Sequence, residues 1–200
     1  MMILRSSPPS PFGRKVRIAA DILGLTDRIE IVVADTNDPD DSLRRQNPLG
    51  KIPVLIDDGR AIFDSRLILE HLDHLAGGGR IIPRDHGARL DALTMQATCD
   101  GILDASILRV YEGRFREEAK RDANWLKYQA DKVGRALALL EAAPPPVGPD
   151  VGAITLACAL GYLDLRFEGR WRAGHPRLVA WLDAFAARTP SFEATRFTPV

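Results

Sequence analysis

The chain is short of cysteine, of net charge and of long apolar runs, and each shortage narrows what it can be. Only Cys99 and Cys158 occur in 200 residues. They lie far apart without CxxC or zinc spacing, so they read as two buried, reduced thiols of a cytosolic protein, not as a disulfide framework, a redox pair or a metal knuckle. Lys+Arg 27 balance Asp+Glu 27 for a formal net charge of +0, which argues against a general nucleic-acid binder, whose footprint is a basic excess. No stretch of about 18 apolar residues is present, so no membrane span is expected. Met1-Met2-Ile3-Leu4-Arg5-Ser6-Ser7-Pro8-Pro9 lacks the apolar stretch of a secretory signal, which agrees with a cytoplasmic protein. What the chain does have is 46% hydrophobic residues over 22.0 kDa, enough for a real core in one large domain or two small ones.

Two characters divide the sequence. Ile3-Leu4 closes a short first strand. Phe12, Val16, Ala19, Ala20 and Leu23 recur at helical spacing up to Gly24. Ile29 to Val33 is β-branched and reads as a strand; Pro53-Val54-Leu55-Ile56 is another, closed by the turn Asp57-Asp58-Gly59 and paired as a hairpin with Ala61-Ile62-Phe63. Ser65 opens a helix carrying Ile68, Leu69, Leu72 and Leu75. Gly77-Gly78-Gly79 and Pro83 cannot hold a helix and mark a linker. Beyond His86 only helices are expected: one from Leu90 to about Tyr111, one over Leu126 to Leu140 stopped by Pro144-Pro145-Pro146, an apolar, central one around Ile154 to Asp164, and one over Leu178 to Phe185. The organisation is an α/β domain over 1–77, a linker over 78–85 and an all-helical domain over 86–200.

Chemistry concentrates at three junctions of the first domain. Ser10-Pro11-Phe12 opens the first helix with a favoured cap and a favoured first-turn proline. A capping hydroxyl still has a proton to donate, and the helix N-terminus favours an anion. Gly50-Lys51-Ile52-Pro53-Val54-Leu55 enters a strand through a proline, which suits an edge or first position. Asp64-Ser65 opens the next helix and suits an α-amino-acid end group, with Ser65 taking a carboxylate and Asp64 an ammonium. A plain helix cap is the alternative at the first and third. Elsewhere the ordinary reading holds. His71 and His74 lack the partners for a metal, Arg14-Lys15 and Arg17 read as a solvated basic face, and Trp171 and Trp181 read as packing.

This ordered set, with Ile82-Pro83-Arg84-Asp85 and Asp100-Gly101-Ile102-Leu103-Asp104-Ala105 behind it, resembles the cytosolic glutathione transferase superfamily. The small bacterial members near the zeta, tau and omega groups are most similar. The resemblance implies a thioredoxin-like N-terminal domain, an all-α C-terminal domain and a cytoplasmic homodimer used in detoxification. Glutathione is then the co-substrate, with a small electrophile as its partner and no metal, nucleic acid or membrane involved. It implies a cis Ile52–Pro53 bond, Ile52 backbone groups on the cysteinyl part of glutathione, Asp64 and Ser65 on its γ-glutamyl end, and Phe12, Lys51 and Pro53 beside them. Ser10 becomes the catalytic residue; Ser6 and Ser7 lie earlier, off the Pro-Phe helix start. Tyr111, Arg114 and Phe115 are candidate walls of the acceptor pocket.

Serine at this place cannot form a mixed disulfide, so conjugation, addition or isomerisation is favoured over thiol–disulfide exchange. A glutathione-dependent isomerase or lyase on a small metabolite stays open, favoured if basic residues line the acceptor pocket, and so does a non-catalytic glutathione-binding or regulatory module. Two points stand apart. The buried central helix starts Asp150-Val151-Gly152-Ala153, with a cap but without the acidic partner many members place three residues on. Asp100 reads as an interface or helix-surface carboxylate, with a role toward the partner chain's glutathione as the other possibility.

Overall fold

The structure, a computed structural model, describes residues 1–199. Its strands β1 (Met2–Ser6), β2 (Ile29–Val33), β3 (Val54–Asp57) and β4 (Arg60–Ile62) form one mixed sheet in the order β2-β1-β3-β4. β1 runs parallel to β2, with Met2 opposite Ile29, and β3 is antiparallel to both β1 and β4. The β3–β4 turn is Asp58-Gly59, both at positive φ (46° and 77°). That is the backbone a two-residue hairpin needs and Asp-Gly tolerates.

Side-chain alternation sorts the sheet into two faces. Met2, Leu4 and Leu55 join the main core with α1 (Pro11–Ile22) and α3 (Ser65–Leu75). Val54 packs on the opposite face with Ala34 and Leu43, the latter on α2 (Leu43–Gln46). Arg5 is fixed by Asp41 at 2.7 Å and Ser42 at 2.6 Å. Asp41 also accepts the N–H groups of Leu43 and Asp35. These bonds, that of Leu43 foremost, hold its carboxyl below the ordinary range.

From His86 on every regular element is helical: α4 (His86–Phe115), α5 (Ala123–Ala142), α6 (Val151–Phe167), α7 (Pro176–Arg188) and α8 (Pro190–Ala194). The α/β part followed by a helical part is as the sequence reading has it. Three details differ. α4 runs on past Tyr111 to Phe115, and α2 and α8 have no counterpart in the sequence reading, being too short to show a period. α6 is buried along 151–160 and packs on α4 and α1. Asp150 caps it, taking the Ala153 N–H at 2.9 Å. At Gly152 α6 lies close against α4: a Cβ there would come within 2.8 Å of the Met95 side chain and 3.1 Å of the Ala92 carbonyl. Behind α3, Gly77, Gly78 and Gly79 all have positive φ. The buried Asp73 collects the next three backbone donors, from Gly79, Arg80 and Ile81, at 2.8–2.9 Å.

Two expectations are corrected. The basic run on α1 is not a solvated face. Arg14 reaches the Phe192 carbonyl and the Thr195 hydroxyl, and Lys15 is 0% exposed. Nor is Asp100 a surface carboxylate: it is 1% exposed and takes Lys15 Nζ at 2.7 Å and Arg66 Nε at 2.8 Å. A buried lysine is tolerable only with such a partner. Asp100→Ala strands that charge and is expected to lower stability by about 3–5 kcal/mol. The double variant Lys15→Met, Asp100→Leu is expected to recover most of the loss; denaturant unfolding checks both, and a near-neutral single variant would contradict the burial of the pair.

Candidate functional site

Two adjoining hollows lie over the N-terminal ends of α1 and α3. The smaller, of about 130 Å³, is lined by the three junction segments together: Phe12 from α1, Lys51-Ile52-Pro53 from the entrance to β3, and Asp64-Ser65-Arg66 from the start of α3. Asp100 and Asp104 of α4 close it. The larger, a cleft of about 470 Å³, contains Ser7, Ser10, Phe12, Lys51 and Ile52 on one side and α4 with Tyr162 and Arg166 of α6 on the other. Phe12, Lys51, Ile52 and Asp104 line both, so the two are compartments of one site.

Local bonding explains how each group is presented. Ser10 Oγ accepts the Gly13 N–H at 3.1 Å. Its one hydroxyl proton is not used by that bond, and it stands at the positive end of α1. Buried Asn47 shapes the loop before β3, donating to the Lys51 carbonyl at 2.9 Å and accepting the Leu49 N–H at 3.0 Å. Gly50 sits at φ 61°, and the Ile52–Pro53 bond is cis. Asp64 caps α3 through the Arg66 N–H at 2.9 Å, and the buried Ser65 hydroxyl donates to the same carboxylate at 3.2 Å. Arg66 spends only its Nε on Asp100. Asp104 has its carboxyl pushed up by partial withdrawal from water and by Asp100, against the opposing charges of Lys51 and Arg66.

The residues singled out in the sequence do not all meet. Ser10, Phe12, Lys51, Ile52, Pro53, Asp64 and Ser65 do. Tyr111 and Arg114 line the larger cleft, but Phe115 does not. It is 66% exposed, beside Arg116, Glu117 and Lys120, and meets Tyr111 edge-on with ring centroids 5.3 Å apart. α4 ends there, one step beyond the cleft mouth. Of the alternative serines, Ser6 is buried behind α1, where a Cβ on Gly13 would overlap its Oγ, whereas Ser7 lines the cleft. Arg66, Asp104, Tyr162 and Arg166 were not singled out for the site. They reach it from α3, α4 and α6 by tertiary packing, with no local signal beyond the helical spacing itself.

Other groups have different employments. His71 pairs with Asp57 at 2.8 Å. Among the described residues no group of three or more His, Cys, Asp or Glu is arranged to hold a metal, and no helix is long and apolar enough to cross a membrane. Cys99 and Cys158 are fully buried. Burial pushes the Cys99 thiol far up, with Asp100 adding to it, and raises Cys158 to about 11 against the pull of Arg14 and Lys15.

Comparison with known proteins agrees along the whole chain. Residues 4–80 match the family described as glutathione S-transferase, N-terminal domain, and residues 112–184 the glutathione S-transferase, C-terminal domain. The uncharacterized GST-like protein YibF of Escherichia coli is 32% identical over 94% of this chain and 95% of its own. A glutathione transferase family member from Pseudomonas fluorescens Pf-5, solved with bound glutathione, is 42% identical and superposes with a TM-score of 0.91 over 100% of both chains. A structure of that Pseudomonas family member with bound S-(propanoic acid)-glutathione gives a TM-score of 0.87 at 41% identity, over 99% of this chain and 100% of the other.

The thiols give a direct check on the site. Thiolates, not thiols, react, so an aromatic disulfide reagent at pH 8 is expected to find no fast-reacting cysteine in the native protein and two after denaturation. A fast thiol in the folded chain would contradict the buried placement of Cys99 and Cys158 and reopen disulfide chemistry.

Proposed function

The chain belongs to the cytosolic glutathione S-transferase superfamily, and from that premise we propose that Ser10 activates the glutathione thiol for attack on a small electrophile held in the larger cleft. The observation that carries this reading is the bonding of Ser10. Its oxygen caps α1 and its proton is left over, at a helix N-terminus that opens into the cleft. The smaller compartment suits the tripeptide. Ser65, Asp64 and Arg66 line it as partners for the γ-glutamyl end. The edge at Ile52–Pro53 serves the cysteinyl part, with Lys51 and Phe12 alongside. Glutathione in the Pseudomonas relative's structure supports the same assignment for this chain. The expected units are a glutathione-binding domain over 1–77 and an all-helical domain over 86–200, joined by a linker over 78–85, in a homodimer.

The energetics are modest. A free thiol with pKa near 8.5 is only about 3% thiolate at pH 7. Lowering that pKa by about 2 units takes about 2.7 kcal/mol of preference for the anion, within reach of one charge-assisted hydrogen bond and a helix terminus. Ser10 donates and is never itself the nucleophile. No general base is required, because the thiol proton leaves to water when glutathione binds. Holding thiolate and electrophile in one cleft adds proximity.

The test is an ultraviolet titration of the thiolate of bound glutathione across pH, with wild type beside Ser10→Ala and Ser7→Ala. In wild type the thiol is expected to ionise about 2 units below its free value, and Ser10→Ala to return it by more than about 1 unit while glutathione still binds. Loss of the helix cap also lowers stability by about 1 kcal/mol, which thermal unfolding measures separately. If Ser10→Ala is silent and Ser7→Ala is not, the activating role moves to Ser7; binding with no shift in any form would leave only a glutathione-binding module.

A further inference from the structure

The acceptor side of the cleft is not the plain apolar pocket that a hydrophobic electrophile would need. Lys51, Arg114 and Arg166 line it, against one carboxylate, Asp104. This excess is local, since the whole chain is formally neutral. Asp104 lies on the border with the glutathione compartment, which it also lines, and it faces Lys51, Arg66 and Asp100 there. The two arginines are therefore left without a counter-charge of their own. Among the described residues neither they nor Lys51 form an ion pair, although Arg5, Arg66, Arg89 and Arg172 all do.

The aromatic residues complete the arrangement. The Arg114 guanidinium lies 5.5 Å from the Tyr111 ring centroid and that of Arg166 lies 5.7 Å from the Tyr162 ring. Arg166 also reaches the Tyr162 hydroxyl; the planar fork of a guanidinium matches a carboxylate edge-on. Ile52, Ile107, Leu108 and Val110 add an aliphatic part to the wall. The chemistry recognised is thus a compact organic anion: a short apolar body ending in a carboxylate.

We propose that the acceptor bound opposite Ser10 is a small carboxylate-bearing electrophile, its carboxylate held by Arg114 and Arg166. This rests on the glutathione reading, because it names the second substrate of the same site. Arg114 and Arg166 are then specificity-determining residues, and Lys51 supplies a third positive charge between acceptor and glutathione.

The experiment uses two glutathione adducts of nearly identical shape, S-(2-carboxyethyl)glutathione and its primary amide S-(2-carbamoylethyl)glutathione, titrated calorimetrically into the wild-type protein, Arg114→Gln, Arg166→Gln and the double variant. In wild type at low ionic strength the acid is expected to bind about tenfold tighter than the amide, with the preference shrinking as salt is raised. In the double variant the preference is expected to fall to within about twofold, while affinity for the amide and for glutathione changes by less than about twofold. Unchanged amide affinity also shows that the variant is folded, and the salt series on wild type needs no variant at all. Equal binding of acid and amide in wild type overturns the proposal and leaves the glutathione reading intact; so does a preference that survives both substitutions. If neither adduct nor glutathione binds, the glutathione reading fails and takes this inference with it.

Discussion

One carboxylate, that of Asp100, stands between Lys15 of α1 and Arg66 of α3 while belonging to α4. The Lys15 and Asp100 charges would each be costly alone in the interior, with half-exposed Arg66 as a second partner, so the cluster ties the register of all three helices. The consequence reaches the site from three directions. α1 carries Ser10 at its N-terminus, α3 starts at Ser65, and α4 carries Tyr111 and Arg114. Fixing these helices to one buried point sets the distance between Ser10 at the start of α1 and the cleft wall on α4. Gly152 does related work on the far side of α4, letting α6 close in so that Tyr162 and Arg166 reach the same cleft.

The fold was legible where its causes are local. The Asp-Gly turn, the Ser10, Asp64 and Asp150 caps, the three consecutive glycines and the apolar run of α6 all act over a few residues. Each left a mark in the sequence that the structure repeats. The Ser-Pro-Phe, Ile-Pro and Asp-Ser segments could be placed in one site because each begins or enters a regular element.

What was not legible depends on residues far apart in the chain. Lys15 looks like one more surface lysine until Asp100, 85 residues on, is brought to it. Asp73 looks like a helix-face acid until the linker folds back and hands it three N–H groups. Arg166 follows the buried run of α6 with nothing to say which way it faces. Phe115 shares a helix and an aromatic character with Tyr111, yet it sits at the helix end, where the ring leaves the cleft for solvent. Helical spacing gives a direction around the axis; it does not say how far along the axis a neighbouring wall extends.

The balance of 27 against 27 charges therefore conceals three separate uses of cations. Lys15 is neutralised inside the protein, and Arg14 and Arg80 are tied to backbone carbonyls at element ends. Lys51, Arg114 and Arg166 stay open toward the cleft. The last group matters for the proposed reaction, which would bring two anions together. Two like charges about 4 Å apart repel by about 4 kcal/mol at an effective dielectric of about 20, enough to expel a carboxylate-bearing acceptor from beside a thiolate. Cations placed behind the acceptor and between the two anions offset that repulsion without touching the sulfur. In the same proposal the helix terminus at Ser10 stabilises the thiolate from the opposite side. On that proposal, the site would hold both charges because the positive groups are divided between its two walls.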